Sequence, residues 1–449
     1  MDKIKKFLAS DLYTAILFIG ACIVVFAGKE VFGTILFALI IAFTMAMTDD
    51  LIPALQGVLF TVCFAIRCKH SFDEFIKYWY FAIPIAILFF THFFRFRTKL
   101  SKGSCFWAIF AASAATTLGG AGIISAKEYF SPTSIFYVIM LGFGMLLIYC
   151  YLCSALKQRE EYEFSDRFSK MMASIIPMLS VCLFQEYFSR REEFLEVLGI
   201  IPFQWRNNAS TLLMLAMPFA FYLSAKFYGW FFAGILSYAA ILFSGSRGGM
   251  IFGLAELILC LAIMIFIDKK HRKYSVITIC ICIAGVFLLK ETLLDVIDYT
   301  IERLFDPDEN SIRLGLIPRG IEDFLSNPLF GRGLGYMGNR DIHESAEHTL
   351  CWYHCSPIQV IGSFGIAGAA AYGFLIFKRI RLFIKNLTFF NIMVFASYVG
   401  IEMMSLVNPG VFAPFPYLFL VTAFFVIIEN CNSEKDKSAL SKIRKGQNE

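Results

Sequence analysis

Two kinds of side chain in this sequence suit work on an anionic substrate: arginines able to grip phosphate-type oxygens, and histidines able to take a proton near neutral pH. They gather where an otherwise apolar chain turns polar. Residues 291–355 form the one long polar interruption between hydrophobic stretches and carry Arg303, Arg313, Arg319, Arg332, His348 and His354. The run His354-Cys355-Ser356-Pro357-Ile358-Gln359 then leads directly into another hydrophobic span, which puts an imidazole at the membrane surface. Its near-neutral pKa fits a general base, with His348 as the rival. Arg247 sits in Phe243-Ser244-Gly245-Ser246-Arg247-Gly248-Gly249, at the expected outer junction of two spans. A planar guanidinium with five donors matches phosphate geometry, and the flanking glycines allow a ligand to approach the backbone. The plainer reading of Arg247 is a snorkelling anchor at a helix end. Arg313 is a second candidate cation; Arg319 and Arg332 compete with it, and spacing alone does not rank the three. A base and fixed cations at one surface point to an enzyme acting at an interface.

Other titratable groups carry less. His348, Cys351, His354 and Cys355 invite a zinc site, but their spacing fits no standard paired set, so no metal or other cofactor is expected. Glu256 and Glu402 fall within expected spans, where an ionisable group is expensive. Pairing with an interfacial Arg or His explains them as well as a transport role does.

The elements that position these residues follow from composition. The 449 residues are 58% hydrophobic and 17% charged, with 51 Phe, and mean hydropathy is +0.66. That places the chain among polytopic membrane proteins. Apolar stretches near the roughly 20 residues a crossing helix needs occur about 12–14 times, giving an all-α bundle. Lys and Arg cluster at Lys3-Lys6, Arg95-Lys102, Lys157-Lys170, Lys269-Lys273, Lys378-Lys385 and Lys435-Lys445. Threading the spans puts every cluster on one side, which the positive-inside rule makes cytoplasmic, with 291–355 outside. The net charge of +5 therefore reflects orientation, and no compact basic face suggests nucleic acid. The 13 Cys fall mostly inside spans, where they act as small hydrophobes. Four regions result: transmembrane helices over 1–290, a large extracytoplasmic loop over 291–355 with short helices of its own, further transmembrane helices over 356–428, and a cytoplasmic tail over 429–449. Within the loop, the apolar spacing of Ser311 to Ser326 predicts an amphipathic helix ended by Asn327-Pro328, followed by a close-turning segment at Gly331, Gly333 and Gly335.

In this order these motifs resemble the O-antigen ligase and polymerase superfamily of bacterial membrane glycosyltransferases. Three features carry the resemblance: the Ser246-Arg247-Gly248 turn, the Arg313 helix leading to Asn327-Pro328-Leu329-Phe330-Gly331-Arg332-Gly333, and the His354 run with Gly365 and Gly368 after it. In the family the last run usually reads His-Asn, a hydrophobic residue and Gln, then Gly-x-x-Gly. Ile358, Gln359, Gly365 and Gly368 fall in register only from His354, which selects it over His348. Arg206-Asn207-Asn208-Ala209 is similar to an Asn-containing family segment, and Cys355 departs where the family commonly has Asn. The resemblance covers about residues 200–375.

It implies transfer of a glycan from an undecaprenyl-diphosphate carrier to an acceptor hydroxyl on a glycan, lipid or cell-wall partner, at the outer face of a bacterial cytoplasmic membrane. His354 is then the base, Arg247 with Arg313 would balance the leaving diphosphate, Arg206, Arg319, Arg332 and His348 are secondary candidates, and no metal is required. Ligase and polymerase share these residues. The rival from another class is a lipid-linked glycan flippase or transporter, which would spread charge through a mid-membrane cavity; a non-catalytic scaffold is the third reading.

Overall fold

A computed structural model of the chain describes residues 2–67, 74–75, 77–96, 98–120, 134–156, 161–190, 203–268, 272–288, 307–334, 352–412 and 414–430. Within them every regular element is helical. The first part of the bundle contains α1 (Asp2–Leu8), α2 (Asp11–Ala27), α3 (Glu30–Met47), α4 (Ile52–Ala65), α5 (Ala82–Phe96), α6 (Phe106–Gly120), α7 (Ser134–Ile139), α8 (Met145–Ala155), α9 (Glu161–Ala173) and α10 (Ile175–Ser189). Then follow α11 (Phe203–Ser224), α12 (Gly229–Ser244), α13 (Arg247–Ile267), α14 (Arg272–Leu288), α15 (Pro307–Ser326), α16 (Ser356–Lys385), α17 (Phe389–Met404) and α18 (Phe419–Asn430). Helices suit such a chain because they satisfy their backbone groups internally, without water.

Six of the described helical stretches are long and apolar enough to cross a membrane, or seven if α1 and α2, bent by 57°, count as one. Others, such as Ile52–Ala65, Gly229–Ser244 and Phe389–Met404, are apolar but only 10–17 residues long. The chain is an all-α polytopic membrane bundle.

At its centre runs α11, whose residues from Ala209 to Ser224 are almost all buried. It packs against α9, α12, α13 and α17, and near its far end Phe219 joins a ring cluster with Phe168, Phe390 and Phe424 at centroid spacings of 5.6–6.4 Å. Burial on all sides explains why α11 is apolar all round past its first turns. By contrast α5 buries only His92 and turns Ile83, Ile87, Phe90 and Phe94 outward, as a lipid-facing helix does.

Just beyond the far end of α11, Lys226 pairs with Asp166. The same rim holds Arg167–Asp50, Lys5–Asp49 at 3.1 Å and Lys170–Asp11 at 3.0 Å. There Arg95 Nη1 donates to Ala46 O at 2.8 Å, a basic side chain closing the carbonyl end of α3. The opposite end of α11, beginning near Arg206, carries the candidate site.

Candidate functional site

The α12–α13 turn is built by two backbone devices. Gly245, at φ 69°, ends α12 in the left-handed region that glycine enters without strain. Ser246 then caps α13: its Oγ accepts from Gly249 N at 3.2 Å and donates to Asn207 Oδ1 at 2.8 Å. Gly249 lets α13 lie directly on α11, since a Cβ there would stand 2.5 Å from Ser210 Cβ. Arg247 is thereby fixed as the first residue of α13. A cation at a helix N-terminus faces the unfavourable end of the helix dipole, so stability of α13 does not explain it. Arg206 lies alongside, its Cδ 3.5 Å from where a Gly245 Cβ would be.

A second turn holds His354. At φ 52° it is the one non-glycine residue with left-handed backbone among the described residues, a conformation costing about 1–3 kcal/mol and concentrated at functional sites. On its far side Ser356 N donates to Ser405 O at 2.8 Å and Ser356 Oγ to Pro409 O at 3.4 Å. Cys355 caps α16 without a side-chain hydrogen bond.

The segment after α17 links the two turns. Its Val407 side chain, with that of Met404 at the end of α17, packs against Gly248, while Ser405 and Pro409 hold Ser356. Close by in sequence, Tyr417 Oη donates to Asn208 Oδ1 at 2.9 Å, tying the next segment to the start of α11. Residues 206–208, 246–248, 354–356 and 404–409, distant in sequence, therefore meet at one end of the bundle.

The glycine motif after α15 docks into a break in α16. Gly365, at φ 62° and ψ −155°, interrupts that helix. The freed carbonyls of Gly362 and Ser363 accept from Arg332 N at 2.8 Å and Gly333 N at 2.9 Å. Ile366 N and Ala367 N donate in turn to Pro328 O at 2.8 Å and Leu329 O at 3.1 Å. The loop thus replaces the helical bonds lost at the break, as buried backbone requires. Approach is close enough that a Cβ on Gly365 would lie 2.5 Å from the Leu329 carbonyl carbon, and one on Gly331 would fall onto the Ser363–Phe364 backbone.

This docking brings α15 against the His354 turn. Tyr353 Oη donates to Asp323 Oδ2 at 2.6 Å. Burial pushes the Asp323 carboxyl above its usual range, opposed by the Tyr353 hydrogen bond and by Arg319 and Arg332. Arg319 also pairs with Glu322 at 3.5 Å.

Beneath Ser356 an apolar cavity of about 290 Å³ enters the bundle, lined by residues including Met145, Val360, Tyr372 and Phe412, with Arg379 and Glu402 on its wall. By spacing Arg379 belongs to the basic cluster 378–385. It turns inward instead, 4% exposed, 4.9 Å from the Phe425 ring and 5.5 Å from that of Tyr398, with Glu402 as its electrostatic partner. Glu402 thus does face an arginine, as the sequence suggested, though a buried one, whereas Glu256 is fully buried against Gly400.

Of the residues expected from sequence, Arg206, Arg247 and His354 come to one junction, with Arg319 and Arg332 joined to it through Asp323 and Tyr353. Arg313 lies on α15, but its side chain is outside the described residues, as are His348 and Cys351 altogether. Sequence reasoning missed Asp323, Tyr353 and the 404–409 segment. Among the described residues, no three His, Cys, Asp or Glu stand close enough to hold a metal ion.

No curated protein matches the chain. A family model described as O-antigen ligase matches residues 232–373, so this stretch, which contains the Arg247 turn, the docked glycine loop and the His354 turn, is similar to that family.

Proposed function

We propose that this membrane protein moves a glycan from an undecaprenyl-diphosphate carrier to an acceptor hydroxyl at the outer face of a bacterial cytoplasmic membrane. The observation that carries the reading is the meeting of the Arg247 and His354 turns on residues 404–409. In the reaction the acceptor oxygen attacks the anomeric carbon as its proton passes to the His354 imidazole. The carbon–oxygen bond to the carrier breaks, and the electron pair leaves with the lipid diphosphate. General-base help of this kind contributes about 10²- to 10⁴-fold. Growing charge on the diphosphate is met by Arg247, with Arg206, Arg313, Arg319 and Arg332 as further cations; fixed donors of this type supply the largest catalytic effect in many enzymes. No metal or other cofactor is assigned a role. The apolar cavity beneath Ser356 suits part of a carrier's hydrocarbon chain. Outward placement is supported by the Lys and Arg of the opposite rim, which the positive-inside rule assigns to the cytoplasm.

The test is transfer by purified protein in liposomes from a lipid-diphosphate glycan donor, without added divalent metal, comparing wild type with His354→Ala. Loss of transfer in a folded variant that still binds donor supports the reading. Product length separates the ligase from the polymerase, one addition against a ladder. Absence of wild-type transfer, together with donor movement between leaflets, would replace it by a flippase, for which Arg379, Glu402 and Glu256 are ionisable groups inside the bundle.

A further inference from the structure

A strained backbone persists only where its surroundings over-determine it, and the residue before His354 is held on three sides. The Tyr353 ring is wedged between two helices: a Cβ on Gly320 of α15 would lie 3.1 Å from it, and one on Gly362 of α16 would lie 3.0 Å away. Its hydroxyl donates to Asp323 Oδ2 at 2.6 Å. Its backbone N–H donates to Gln359 Oε1 at 3.1 Å, and Gln359 Nε2 donates to Ser363 Oγ at 2.8 Å, one turn further along α16. Tyr353 is 4%, Asp323 5% and Gln359 2% exposed, so water does not compete for these bonds. An apolar contact could join α15 to α16 at less desolvation cost than a buried carboxyl. The same carboxyl interacts with Arg319 and Arg332. One acid thus links two candidate cations to the residue that aims the imidazole.

We propose that Asp323, Tyr353 and Gln359 are positioning residues for His354. They form a brace that holds its left-handed turn and sets its placement relative to Arg319 and Arg332. The inference rests on the glycosyl-transfer reading for its kinetic consequence, though not for its geometry. Displacing a catalytic group by about an ångström can cost on the order of 100-fold in rate.

The test uses the full chain in liposomes with a lipid-diphosphate glycan donor. Tyr353→Phe, which keeps the wedge and removes only the hydroxyl, should lower kcat by about 10- to 100-fold with donor KM close to wild type and a Tm lowered only as far as the loss of one buried hydrogen bond requires. Asp323→Asn, which keeps an acceptor oxygen, should retain most of the activity, and Asp323→Leu should lose it as Tyr353→Phe does. A second reading avoids transfer altogether: the rate at which diethyl pyrocarbonate modifies His354, followed by mass spectrometry, should change several-fold in Tyr353→Phe. Unchanged kcat and unchanged modification in Tyr353→Phe would overturn the brace. A loss carried by donor KM or by unfolding would also overturn it. Should wild type transfer no glycan while the modification rate still responds, the proposed function fails and the brace stands.

Discussion

The two ends of α11 solve different problems with polar residues. Around Lys226 the rim closes cations on carboxylates from other helices, as in Lys5–Asp49 and Lys170–Asp11, with side chains that remain substantially exposed. Exposed pairs of this kind contribute about 0–1 kcal/mol each. At the Arg206 end, beside the Tyr353–Asp323 bond and the Arg319–Glu322 pair, most joints described above are neutral hydrogen bonds and glycine contacts: Ser246 to Asn207, Tyr417 to Asn208, Gln359 to Ser363, and Gly331 and Gly365 against facing backbone. The first arrangement tolerates loose geometry, because screened charges attract over a range of distances. The second does not, because short hydrogen bonds and backbone contact fix position. Orientation and modest stability suffice at one end, whereas the other has groups to hold in register.

The glycines at the α16 break should separate the two ends most sharply. Gly365→Ala or Gly331→Ala sets a side chain against backbone at a left-handed position. The expected outcome is failure to assemble or complete loss of transfer, read by size-exclusion profile and assay; normal folding with activity would show that the loop need not dock. Next in size is Arg247→Ala, which should reduce transfer on the order of 100-fold while the protein stays folded. Arg247→Lys should recover only a small part of that, since an ammonium lacks the planar fork; full recovery would reduce Arg247 to a point charge. Ser246→Ala removes the cap of α13 and the tie to Asn207, and should lower stability by about 1 kcal/mol with a measurable fall in Tm. The smallest effect belongs to the other end: Lys170→Ala should shift stability by about 0–1 kcal/mol and leave transfer within a factor of two. A larger loss of transfer there would erase the distinction between the ends.

Much of this architecture is legible in sequence because it is local. Apolar runs announce the helices, and the spacing of Ser311 to Ser326 together with Asn327-Pro328 marks a helix that the structure ends at Ser326. The register of Gln359, Gly365 and Gly368 behind His354 is what selects that imidazole as the candidate base, since motif spacing is readable along one chain segment. What the motif glycines approach is a tertiary matter: Gly365 meets residues 328–329 and Gly248 meets residues 404 and 407. Periodicity is equally silent on direction. Arg379 belongs by spacing to a basic cluster, yet the rings of Tyr398 and Phe425 receive it inside the bundle. Asp323 reads as one more polar residue on an amphipathic helix until Tyr353, thirty residues later, comes to face it.

The central claim is that turns distant in sequence make one site, and a double-mutant cycle on transfer tests it most directly. Arg247→Ala, His354→Ala and the combined variant would be assayed with the same donor and acceptor, each checked for folding. Groups that act on one transition state are strongly non-additive, so the double variant should be no more than a few-fold slower than the worse single variant. Losses that multiply, as they do for independent sites, would contradict the account.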